Sequence, residues 1–178
     1  MFIYLVKIFW FFLPAGVANM APVLFKWVPW LNYPIDFNKR YKDQPIFGPH
    51  KTIRGFFFGI LACMVFLYWQ TTITGSMTDW LIIDYSQTNV FLLGFLMGFG
   101  ALFGDAIRSF FKRRRQIKPG VYWFPFDQID WIIGTIIFMS FYVYLPWHML
   151  LSAVAMALFF HPFFNYLGYI FKIKKNKF

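Results

Sequence analysis

The stretch "VFLLGFLMGFGALFGDAIRSFFKRRR", Val90–Arg115, passes from an oily, glycine-rich run straight into a basic one. Its first part, Val90–Ile107, carries one charge, Asp105. A membrane-spanning helix needs about 20 mostly apolar residues, so this part predicts a span. The basic run behind it is the flank that the positive-inside rule places in the cytoplasm. Four further segments read the same way: about Phe2–Phe25, Ile53–Thr74, Ile129–Leu145 and Trp147–Phe171. Composition agrees. The 178 residues are 60% hydrophobic and 25% aromatic, and the 13% charged is about half the share of a soluble domain. The expected fold is an all-α integral membrane protein of about five transmembrane helices, one domain over residues 1–178. The short connection at Pro146 predicts a tight antiparallel hairpin of the last two helices. The long final segment predicts a tilt or a kink near Pro162.

The connections alternate in charge. The loop at about 26–52 is basic, the next holds Asp79 and Asp84 without Lys or Arg, the loop at about 108–128 is strongly basic, the fourth is neutral and the tail is basic. This alternation predicts an outside N-terminus and a cytoplasmic C-terminus, with loops 26–52 and 108–128 in the cytoplasm. A rival reading takes the first 21 residues as a signal peptide cut near Ala18. Lys7, buried inside the apolar run, makes a weak n-region for it. The net charge of +10 does not point to nucleic acid, because no stretch is long enough to form a soluble domain. Cys63 is the only cysteine, which leaves no intrachain disulfide and no cysteine metal site; its apolar neighbours predict burial.

All seven acids are aspartates, and three of them, Asp105, Asp127 and Asp130, fall inside the basic segment. If the third helix continues, Asp105, Ser109 and Lys112 share a face. Asp127 and Asp130, three apart, share one where the fourth helix starts. Carboxylates from two helix ends make an oxygen-only site, which suits Mg²⁺. The surrounding Lys and Arg bind phosphate. Such a set fits in-line displacement at phosphorus. Plainer roles are also open: Asp127 or Asp130 as a helix cap, Arg113–Arg115 as a topology anchor, and Gly94, Gly98, Gly100 and Gly104 as close helix packing. Asn19, between Pro14 and Pro22, is expected to bond backbone groups freed by the prolines or to meet substrate. His161 and Asn165 are expected to hydrogen-bond between helices. No GxxxxGK[ST], HExxH or GxSxG motif occurs.

The elements Gly104-Asp105, Ser109, Lys112-Arg113, Lys118-Pro119-Gly120 and Asp127-x-x-Asp130 resemble the signature of the integral-membrane CTP:phosphatidate cytidylyltransferases. With "PAGVANMAP", "KTIRG" and "HPFFN", the chain looks most like the small archaeal-type CDP-archaeol synthase branch. The resemblance implies a reaction of CTP with a membrane lipid phosphate in the bilayer, using Mg²⁺, to give a CDP-activated lipid and pyrophosphate. It implies that Asp105, Asp127 and Asp130 hold metal and that Lys112, Arg113 and Lys118 bind phosphates. Ser109 then adds a polar contact, Lys51 and Arg54 close the site from the first loop, and Asn19 shapes it. The larger relatives carry a lysine-aspartate pair and a histidine-glycine-glycine run where this chain has "RRQIKPGVYWFP", and an arginine where Gln128 stands. The alternatives are a CTP-dependent lipid kinase and a non-enzymatic transporter or lipid-binding protein.

Overall fold

The computed structural model describes residues 1–74, 81–118 and 121–170, those from 161 to 170 as helix backbone. Its elements are α1 (Phe2–Leu24), a hairpin of β1 (Arg40–Tyr41) and β2 (Gln44–Pro45), α2 (Ile53–Thr74), α3 (Val90–Arg114), α4 (Phe126–Met139) and α5 (Trp147–Ile170). Among the described residues, three helices, α1, α2 and α3, are long and apolar enough to cross a membrane. Along α2 the exposed residues Phe57, Leu61, Val65, Tyr68 and Trp69 recur at helical spacing. Phe57, Tyr68 and Trp69 each have one aromatic neighbour from another segment, Trp30, Phe91 and Trp10; the rest of this apolar face is open, as lipid contact requires.

α3 is the hub, packing on α1, α2 and α4, and its Leu93, Met97, Ala101 and Ala106 are fully buried. Glycine sets how close its neighbours come. A Cβ on Gly94 would lie 2.8 Å from Met64 Cα, and one on Gly98 2.9 Å from Cys63 Cβ, so this pair faces α2. A Cβ on Gly100 would lie 2.5 Å from the Gly134 carbonyl oxygen, and one on Gly104 would overlap that of Asp130, so the second pair faces α4. The small-residue spacing thus serves two helix contacts, back to back.

Each proline inside α1 removes an N–H and leaves the carbonyl four residues earlier without its helical donor. For Pro14 that carbonyl is Trp10, and Gln70 of α2, 1% exposed, donates to it through Nε2 at 2.7 Å. The freed group is therefore served by Gln70 and not by Asn19. For Pro22 the carbonyl is Ala18, and Gly59 lies so near that a Cβ there would be 2.8 Å from its oxygen. Gln70→Leu is expected to destabilise the protein by about 1–2 kcal/mol, the cost of orphaning a buried acceptor. Pro14→Ala, which restores the N–H, should recover much of the loss in the double mutant; thermal unfolding in detergent measures both.

The sequence-based boundaries need three corrections. α3 does not end at Ile107 but runs to Arg114. Lys and Arg are good helix formers and favour a helix C-terminus, so Arg108–Arg114 are helical and the true loop starts at Arg115. α4 starts three residues earlier than expected and ends at Met139. The Ser140 hydroxyl donates to the Ile136 carbonyl at 2.6 Å, and the chain turns through residues 140–145 before Pro146, which disfavours helix in the residue ahead of it. At 14 residues, α4 is about 21 Å long at 1.5 Å per residue, short of a ~30 Å hydrocarbon core. The α4–α5 connection is accordingly longer than a tight hairpin. Third, loop 26–52 is folded. Lys42 and Asp43, both at positive φ, make the two-residue turn of a β-hairpin. The Asp36 carboxylate, 6% exposed, accepts the N–H groups of Asn38, Phe47 and Gly48 at 3.0, 2.9 and 3.2 Å. Asp79, Pro119, Gly120, the basic tail, and the side chains of His161, Pro162 and Asn165 lie outside the described residues.

Candidate active site

The folded first loop is fastened to the basic end of α3. The Arg114 guanidinium donates to the carbonyls of Pro45 and Ile46 at 2.8 and 3.0 Å. It also lies over the Phe110 ring, 3.7 Å from its centroid. Further along, the Ile35 N–H donates to the Lys51 carbonyl at 2.8 Å. The Thr52 hydroxyl accepts the Gly55 N–H at 3.1 Å, a side-chain cap on the start of α2. Lys51 is thereby held at the mouth of α2, and its ammonium reaches across to pair with Asp105 of α3.

The short approach of α3 and α4 at Gly104 brings the three aspartates to one place. The guanidinium of Arg108, one turn along α3 from Asp105, meets all of them. One terminal nitrogen pairs with Asp105 and the other with Asp127, and Nε lies 2.6 Å from Asp130 Oδ2. Lys112 pairs with both oxygens of Asp127 at 3.0 and 3.1 Å and donates to the Val121 carbonyl at 2.5 Å. Asp127 also accepts the Trp123 N–H at 2.8 Å, which stitches the 115–125 loop onto the site. Asp127 thus bonds a loop N–H ahead of α4, with no side-chain cap at the start of that helix. Lys112 and Asp130 have side-chain exposures of only 6% each. Removing one partner from such a buried network leaves an uncompensated charge, which costs about 3–5 kcal/mol.

The expected face of α3 forms as read. The Ser109 hydroxyl, however, donates to the Asp105 backbone carbonyl at 2.9 Å, so it meets main chain and no carboxylate. Lys51, Arg54 and Asn19 do converge. With Lys26, His50 and Asp105 they line a cleft of about 600 Å³ between α1, the first loop, α2 and α3. Arg54, 8% exposed, spends one nitrogen on the Val28 carbonyl. Arg113 and Lys118 do not join the carboxylates. Arg113 is half-buried at the end of α3, and Lys118 is exposed on the loop. Arg108 at the centre was not among the site residues expected from sequence. The one signal for it was its place one turn after Asp105.

An oxygen-only set of three carboxylates matches the chemistry of a hard divalent cation. The guanidinium gathered among them is itself a cation at the focus of that set. As the side chains stand, no three of the described acids or histidines surround one common point, because Arg108 lies between the carboxylates. The set fits a metal in donor type, and Arg108 must move for it to bind.

Comparison with known proteins finds relatives along the whole chain. The whole chain, residues 1–178, matches the CarS-like family of CDP-archaeol synthases. A CDP-archaeol synthase of Methanopyrus kandleri is 33% identical over 171 residues, 93% of this chain and 89% of the relative. One from Methanocaldococcus jannaschii is 33% identical over 93% of this chain and 92% of its own length. A solved structure of an intramembrane enzyme for archaeal membrane lipid biosynthesis superposes with a TM-score of 0.67 at 26% identity, covering 88% of this chain and 89% of that one.

Proposed function

Because this chain belongs to the CDP-archaeol synthase family, we propose that it joins CTP to an archaeal ether-lipid phosphate such as unsaturated archaetidic acid, using Mg²⁺, at the cytoplasmic face of the cell membrane. It is a membrane nucleotidyltransferase that forms a CDP-activated lipid. An oxygen of the lipid phosphate attacks the α-phosphorus of CTP. The bond from that phosphorus to the bridging oxygen breaks, and pyrophosphate leaves with the electron pair. The observation that carries this reading is the meeting of three carboxylates and the cations Lys51, Arg108 and Lys112 beside a cleft of about 600 Å³.

In this reading Asp105, Asp127 and Asp130 hold Mg²⁺, which when bound draws charge from the phosphate oxygens. Lys112 keeps Asp127 oriented and supplies positive charge to the leaving pyrophosphate. Lys51, Arg54 and Asn19 line the cleft that receives a phosphate group, with Arg113 and Lys118 as outer cations that meet the nucleotide as it enters. Ser109 fixes the α3 backbone under Asp105. Sidedness follows from two supports. The charge alternation favours the cytoplasm for loop 26–52 and for the basic segment 108–128, and Arg114 fastens that loop to the end of α3 that leads into the rest of this segment. Read as five crossings, with the short α4 completed by the turn after Met139, the helices would run from an outside N-terminus to a cytoplasmic C-terminus.

The test is pyrophosphate release by purified protein in liposomes with CTP and Mg²⁺. An archaeal-type ether lipid phosphate and a diacyl phosphatidate are supplied in parallel. Release that requires lipid and metal, and is faster with the ether lipid, is expected. Faster release with the diacyl lipid would overturn the substrate assignment. Formation of CDP in place of pyrophosphate would make the protein a lipid kinase.

A further inference from the structure

Arg108 is built into the carboxylate site in an unusual way. Its three guanidinium nitrogens each meet a different aspartate, Asp105, Asp127 and Asp130. Those aspartates come from two helices locked together at Gly104, where a Cβ would collide with Asp130 backbone. That contact fixes the two backbones that carry them. Each carboxylate also has a partner besides Arg108: Lys51 for Asp105, Lys112 and the Trp123 N–H for Asp127, and the Trp131 N–H for Asp130 at 2.7 Å. Their orientation therefore does not depend on the guanidinium.

The guanidinium is an imperfect occupant. Arg108 Nε and Asp130 Oδ2 stand 2.6 Å apart, yet both are buried and neither makes an aligned hydrogen bond. A planar fork has fixed donor directions, whereas a spherical ion has none. The Arg108 side chain retains 18% exposure, so a path to solvent is open, and its stem is long and flexible. Cations that need the same three carboxylates exclude each other by charge and by volume.

We propose that Arg108 is a resident counter-cation, which competes with the divalent metal for Asp105, Asp127 and Asp130 and is displaced by it toward the nucleotide phosphates. This rests on the reading of the three aspartates as metal ligands. Displacement frees an arginine fork beside the site at the moment a phosphate needs one. Metal binding and nucleotide binding then reinforce each other, since each favours the outward guanidinium. Arg108 would be a positioning group when metal is absent and a phosphate ligand when it is present.

The experiment is Mn²⁺ binding to the full-length protein in detergent without nucleotide. Free Mn²⁺ is followed by its electron paramagnetic resonance signal, in wild type, Arg108→Gln, Arg108→Lys, Asp105→Asn and Asp127→Asn. Arg108→Gln is expected to bind Mn²⁺ about tenfold or more tightly than wild type, with Arg108→Lys between them. The thermal midpoint of Arg108→Gln should fall without metal and rise with Mg²⁺ by more than that of wild type. If Arg108→Gln does not fold, Arg108→Lys carries the comparison, since one ammonium cannot satisfy three carboxylates. Mn²⁺ binding that is lost in Asp127→Asn yet unchanged or weaker in the arginine variants would overturn the inference and leave the metal reading intact. Equal binding in all five proteins, or in none, would overturn both.

Discussion

Asp105→Asn is expected to abolish lipid-dependent pyrophosphate release while leaving a folded protein. Asp105 is the one carboxylate that both lines the cleft and pairs with Arg108 and Lys51. It therefore joins the place where a phosphate enters to the place where charge is concentrated. Asparagine keeps the volume and an acceptor oxygen for Lys51, so the first loop stays docked, helped by the Arg114 fastening that does not involve Asp105. What is lost is a full negative charge at the proposed reaction centre. Deleting one preorganised electrostatic group typically lowers turnover by about 10²–10³-fold, and that fall is expected in the pyrophosphate assay. Wild-type turnover in Asp105→Asn would remove this residue from the site. A lost thermal transition would show instead that Asp105 serves folding.

The second large effect is at a residue with no side chain. Gly134 of α4 packs into α3 so closely that a Cβ would overlap the Gly100 carbonyl oxygen and lie 2.9 Å from Gly104 Cα. The colliding atoms are backbone, so no rotamer change relieves the clash and the helices must separate. Overpacking of this kind costs about 1–3 kcal/mol. The consequence for activity is greater. Asp127 and Asp130 ride on α4, and Asp105 and Lys112 on α3. A shift of about 1 Å between reacting groups can cost about 10²-fold in rate. Gly134→Ala is therefore expected to lower activity by about two orders of magnitude while its thermal midpoint drops modestly. Gly16→Ala is the control. Nothing lies within 4 Å of a Cβ there, so activity should be unchanged and the better helix propensity of alanine should slightly stabilise α1. Equal effects at both positions would show that the α3–α4 approach does not set the site.

Much of this was legible from residue order because a bilayer imposes simple rules. The long apolar runs of α1 and α2 carry their own length requirement, and both ends of α2 lie where the sequence put them. The clustering of Asp105, Asp127 and Asp130 among basic residues pointed to the place where they meet at Arg108, because charges at the edge of an oily chain need a reason. The misses have physical causes. Arg108–Arg114 look like loop to any reading that equates charge with irregular backbone, yet they are ordinary helix. α4 stops at Met139 through turn chemistry near Ser140, which the continuing oily residues to Leu145 conceal. Pairings that depend on tertiary position, such as Arg108 with Asp127 and Asp130 or Gln70 with the Trp10 carbonyl, carry no periodic signal. Arg113 and Lys118 looked equivalent to Lys112 by charge, but only Lys112 is on the buried face of α3.

Cys63 gives the chain a practical property. It is fully buried where α2 meets Gly98 of α3. Thiol reagents need a thiolate they can reach, so the natural protein is a nearly silent background for chemical labelling. A single cysteine introduced at the hairpin tip, Asp43, or at Asp84 ahead of α3 would be the reactive one. Membrane-impermeant maleimide on sealed vesicles then reads out, position by position, which side of the membrane each loop faces, without first removing a native residue from the packed core.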